Sequence, residues 1–294
     1  MLDTILSNHH WYAIFPLHWI VLGIVSVLLY EKYIARPSVF AVKPSQRFYF
    51  YLGVGITLLF KATPLHIIGT DYLFSMYMLE ISAIFFITVP LLLLSFPVAF
   101  LRQVIWNHQA RILLKIFSHP WLTLIGFNGL ISIYFIPSVF NAIHGSWLLT
   151  AIAELILAIN AFFMWWVIIH PLSELKGLSY MLRALYIFLA STILMPTGFF
   201  YIIVLKAHFP DYVATEGALF PVITAIYDQQ IAGGVLKFTQ ILSYAFALLL
   251  IFASWGKQEQ KREGTVDEEN IRYARGVVIH LDKDKNQNKN KHNK

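Results

Sequence analysis

Four side chains that can carry charge stand inside otherwise apolar stretches of this chain: His18, Glu80, Glu154 and Lys237. Ionisable groups in such surroundings are expensive and tend to mark sites. Counted from the starts of their runs at 11, 72, 146 and 231, each lies roughly 9–12 Å along a helix rising 1.5 Å per residue. Two carboxylates and an ammonium at one depth can neutralise one another, which isolated charges in lipid cannot do cheaply. Two uses fit such a layer. One is a buried ion pair that holds helices in register. The other is a polar cavity that handles a proton or a cation. Met76, Tyr77 and Glu80 share one helix face by i,i+3 and i,i+4 spacing, and Tyr134 and Met195 approach the same layer from other segments. Thioether, imidazole and carboxylate groups together suit copper, although methionine on an aromatic-rich helix is ordinarily packing.

The elements that must position these groups are membrane helices. The composition is 58% hydrophobic and 13% charged, far from that of a soluble domain. Seven apolar runs, near 11–30, 48–60, 72–96, 121–143, 146–170, 181–205 and 231–254, approach the length of about 20 residues that a bilayer requires. The expected fold is all-α and polytopic, with seven transmembrane helices. Lys32, Arg36, Lys43 and Arg47 fill the first loop, Arg102, Arg111 and Lys115 the third, and Lys176 and Arg183 the fifth, while the alternate loops hold only Lys61 and Lys206. This asymmetry places the N-terminus outside and the C-terminus in the cytoplasm. Residues 1–255 read as the membrane domain and 256–294 as a charged, solvated and disordered tail ending DKDKNQNKNKHNK.

The chain has no cysteine, so disulfides, thiolate metal sites and cysteine nucleophiles are excluded. The first apolar run lacks the flanks of a cleaved signal peptide, and reads as a retained span. The net charge of +6 follows from the inside-positive bias and implies no nucleic-acid partner; the partner surface is the lipid bilayer. No serine, histidine and acid share a depth, which argues against a hydrolase.

One stretch, YDQQIAGGVLKF at 227–238, is unusually polar for the start of a span. Asp228 reads as a cap for the free amides of its own helix. Gly233 and Gly234 permit a close helix crossing. Gln230, Gly233, Lys237 and Gln240 form a stripe expected to face the bundle interior. His9 and His10 form an adjacent pair near the first helix mouth, and His119 and His170 each precede a proline at a helix end, in SHPW and IIHPL.

In their order these pieces resemble the CtaG family of cytochrome c oxidase assembly factors. The resemblance rests on PLLLLSFP at 90–97, SHPWLTLIGFN and IYFIP within 118–137, MWWVIIHPLSE at 164–174, FPDY at 209–212 and DQQIAGG at 228–234. It implies a non-enzymatic protein of the bacterial cell membrane that helps to mature a haem-copper oxidase on the outer side, with an oxidase subunit as partner and copper as cargo. Asp228, Gln229, Gly233 and Gly234 match the family motif. Elsewhere the chain departs from it: Tyr77 and Met78 stand where the family carries a His-Met pair, Tyr134 and Phe135 where it carries Tyr-His, and Leu236 where it often has methionine. Near the fifth helix only His144 remains. Two readings follow from these losses. Copper is held by a rebuilt set such as His18, Met76, Glu80 and His144, or the chain is a divergent paralogue that binds protein without metal, with Glu80, Glu154 and Lys237 replacing the cation by fixed charge. An ion or copper transporter is a further reading, and a retinal protein using Lys237 a remote one.

Overall fold

The computed structural model describes residues 2–36, 40–172, 174–175, 177–268, 271–274 and 277–280. Seven principal helices run along the chain: α1 (Trp11–Ile34), α2 (Pro44–Lys61), α3 (Phe74–Ser95), α4 (Pro120–Tyr134), α5 (Trp147–Ile169), α6 (Tyr180–Ile202) and α7 (Ala225–Glu268). Shorter helices fill the connections, among them Val98–Trp106, His108–Phe117, Pro137–His144 and Pro210–Ala214. Prolines begin many of these pieces, at Pro44, Pro120, Pro137 and Pro210. A proline at the first helical position gives up an amide that would be unpaired anyway.

Among the described residues five helices are long and apolar enough to cross a membrane, and the number rises to seven if each of two bent pairs is one span. The first pair is α2 with Pro64–Tyr72, bent by 55°, and the second is His108–Phe117 with α4, bent by 62°. The fourth apolar run does not form one helix as its length suggests. It breaks after Tyr134, and Pro137 starts a separate helix.

Within α3 the turns widen over Ala83–Thr88, just ahead of Pro90. Val89 donates its amide five residues back to Ile84, so the next carbonyl in that pattern, Phe85 O, would wait for an amide that Pro90 lacks. The Trp165 indole N–H of α5 donates to Phe85 O instead, at 2.9 Å. The break in α3 thus becomes a joint to α5. A second joint is aromatic: Phe74, Phe140 and Phe209 are buried, with Phe74 4.2 Å from Phe209 and 5.4 Å from Phe140 between ring centroids. Aromatic pairs at such separations add about 0.5–1.5 kcal/mol each beyond burial.

The chain divides into two compact units, Met1–Leu248 and Leu249–Lys294. The boundary falls inside α7, which continues past residue 255 to Glu268. In the second unit Ile271–Ala274 and Val277–His280 pair antiparallel, Ile271 opposite His280. The terminal run 281–294, read from sequence as disordered, lies outside the described residues.

A buried charged cluster as the candidate functional site

Lys61 is the last residue of α2, at the end of the bundle where α3 and α5 begin. Its ammonium lies 2.6 Å from Glu80 Oε1 on α3 and 2.6 Å from Glu154 Oε2 on α5. Lys61 is 4% exposed and Glu80 is fully buried. The His66 Nδ1 lies 3.0 Å from the other Glu80 oxygen. The Tyr77 hydroxyl donates to Glu154 Oε1 at 3.1 Å and shares a second hydrogen bond with the Tyr134 hydroxyl of α4. Trp19 of α1 closes the side of the cluster, its ring centroid 5.8 Å from the ammonium. Cation–π contacts of this kind strengthen when desolvated.

Two carboxylates therefore face one lysine, with the His66 ring on the far side of the first. The series His66, Glu80, Lys61, Glu154, Tyr77 and Tyr134, linked by hydrogen bonds and by the Lys61–Glu80 ion pair, ties four principal helices together. Chemically it can share a proton and fix helix register.

Glu80 and Glu154 are thus brought together as their spacing predicts, but their cation is Lys61 and not Lys237. The reason lies in where α7 starts. It begins at Ala225, six residues earlier than the apolar run, so Lys237 is twelve positions along α7 against six for Glu80 along α3. That places Lys237 about 18 Å from its helix start and Glu80 about 9 Å from its own. Lys237 donates to Gln240 Oε1 at 2.6 Å, and no carboxylate lies within ion-pair distance of it among the described residues. Its stem lies over Gly198 of α6. His18 is exposed and sits beside Trp19, ring centroids 5.7 Å apart.

The candidate copper set does not converge. Met76 packs against the apolar cluster of Ile5, Ile14, Ile67 and Tyr72. His144 stacks on Phe140 at 3.8 Å and meets the edge of Tyr77 at 4.9 Å, with both ring nitrogens unpartnered. Met195 is exposed. Among the described residues no group of three or more His, Asp or Glu is arranged to hold a metal ion. The Glu80 oxygens, which a metal would use, are already engaged by Lys61 and His66.

The polar start of α7 does more than cap its own helix. Asp228 reaches across to α3, where its carboxylate accepts from the amides of Phe74 (2.6 Å) and Ser75 (3.1 Å) and from the Ser75 hydroxyl. It therefore caps the helix that carries Glu80, 154 positions away, and this corrects the expectation that it serves α7. Gln229 Oε1 accepts from the His208 amide at 3.1 Å, and Gln230 donates to Val204 O at 3.0 Å. Of the two glycines only Gly233 is required for close approach. A Cβ there would lie 2.6 Å from Gly198 O, whereas one on Gly234 would meet nothing within 4 Å. Gly233, Lys237 and Gln240 are buried, as the expected interior stripe requires. The FPDY segment supplies Tyr212, whose hydroxyl donates to Gly69 O at 2.8 Å; burial pushes that phenol well above its ordinary range and keeps it a donor.

The family described as cytochrome c oxidase caa3 assembly factor (Caa3_CtaG) matches residues 27–258. This chain belongs to the Caa3_CtaG family. Neither the comparison with curated proteins nor that with solved structures gave a match. The Caa3_CtaG match spans every principal helix except the start of α1 and the end of α7, and so includes the whole ion-paired group. The sequence signal for Lys61 was present: it is one of two basic residues in loops that are otherwise free of them.

Proposed function

We propose that this Caa3_CtaG protein matures cytochrome c oxidase as a non-enzymatic scaffold of the cell membrane, docking an oxidase subunit without holding copper in its own donor set. In this reading all seven helices span, the N-terminus is outside, and the Lys61 cluster lies in the outer half of the membrane. One observation carries the proposal: an ammonium sits between the two carboxylates best placed to attract a cation. The positions where the resemblance implies histidines support it. Tyr77, Phe135 and His144 do gather, all three packed on Phe140, but they offer one phenol, an apolar ring and one imidazole near a fixed positive charge. A metal ion there would meet repulsion from Lys61 and find too few soft donors.

Anaerobic Cu(I) titration of the purified protein, with bound metal read by mass spectrometry, tests the metal half of this reading. Copper at background level, together with loss of oxidase activity when the protein is deleted from its host, is the expected result. One tightly bound copper that is lost in His144→Ala would overturn the scaffold reading and favour delivery. Normal oxidase activity after deletion would remove the assembly role itself.

A further inference from the structure

The helix His108–Phe117 has no buried residue, although its sequence HQARILLKIF is half apolar. Arg111 and Lys115 are one turn apart on one face, with His108 a turn earlier, while Leu113 and Phe117 project from the opposite side, both exposed. Asn107 accepts from the Gln109 amide at 2.9 Å and starts the helix. Phe117 stacks on Phe163 of α5, ring centroids 5.5 Å apart, and anchors its end. The next residues turn the chain by 62° into α4. If α4 runs near the membrane normal, as spanning helices do with tilts of about 20°, this helix lies closer to the membrane plane than to the normal. Its ten residues extend about 15 Å in that plane.

The charges of this helix are unmet. Arg102 pairs with Glu174 and Arg47 with Glu31, but Arg111 and Lys115 meet no carboxylate within ion-pair distance among the described residues. Just ahead of the helix, Trp106 is 84% exposed. An indole of that kind is at home among lipid headgroups.

We infer that His108–Phe117 is an interfacial helix that binds anionic phospholipids, Arg111 and Lys115 taking the headgroup phosphate while the apolar face enters the acyl region. Each cation near an anionic surface contributes enough to favour such lipids severalfold, and the apolar face supplies the rest. Free phosphate would use the cations but leave Leu113 and Phe117 facing water, so the lipid is the occupant. The proposal places this helix on the membrane face that carries anionic lipid. It does not depend on whether the protein binds copper or an oxidase.

The test is native mass spectrometry of the full chain in detergent, titrated with phosphatidylglycerol or with phosphatidylcholine of the same acyl chains. The protein is expected to retain phosphatidylglycerol preferentially. The preference should fall about fivefold in R111Q or K115Q and about 25-fold in the double variant, while the charge-conserving R111K/K115R pair keeps it. R102Q, which removes a cation already paired, should leave it nearly intact. Equal retention of the two lipids by the unsubstituted protein, or an unchanged preference in R111Q/K115Q, would overturn the inference.

Discussion

Lys61 and Lys237 are both more than nine-tenths buried, yet their surroundings have little in common. Lys61 stands between two carboxylates with a tyrosine and an indole nearby. Lys237 has a single amide oxygen as its partner and a glycine beneath its stem. A buried ammonium can be accepted in two ways: by opposite charge held at short range, or by hydrogen bonding and a stem free to lead the head group outwards. The first creates dependence, because removing the lysine strands its partners. The second does not. The contrast separates a residue on which several helices depend from one that the helix pair α6 and α7 merely accommodates.

The sharpest way to break this contrast is Lys61→Met. It leaves Glu80 and Glu154 facing each other, and the loss of stability in a detergent melt should reach about 3–5 kcal/mol. Adding Glu80→Gln and Glu154→Gln should restore most of it, and strict additivity of the three changes would show that the groups are uncoupled. A smaller effect is expected where α6 and α7 cross. Gly233→Ala pushes a methyl against the Gly198 carbonyl and should cost about 1–3 kcal/mol. Gly234→Ala, one residue on and facing open space, should stay within about 0.5 kcal/mol. A small change is also expected of Lys237→Met. With no carboxylate left behind, its melt should shift by less than about 1 kcal/mol in either direction. A loss as large as that of Lys61→Met would mean that the two lysines are equivalent after all.

How much of this could be read beforehand differed from residue to residue. Glu80 and Glu154 come together on Lys61 because α3 and α5 start close to where their apolar runs start, so counting residues gives their positions along the two helices. Lys61 reads as a loop residue because the second run fades just before it, although a stray cation among otherwise neutral loops is a visible clue. Lys237 reads too close to its helix start for the opposite reason. The polar residues 228–230 fall outside the apolar run but inside the helix. The role of Asp228 had no local signature, since any aspartate near a helix start resembles a cap for that helix. The copper set failed on packing. Met76 and His18 have the right chemistry but turn towards an apolar cluster and the exterior.

The contact of Asp228 with Phe74 and Ser75 also sets a clock. The acceptor is made 154 residues after the donor it serves, which at ribosomal speeds is a delay on the order of 10–30 s. Throughout that interval the opening turn of α3 has bare amides, in the helix that carries Glu80. α7 is thus the helix that seals the first turn of α3.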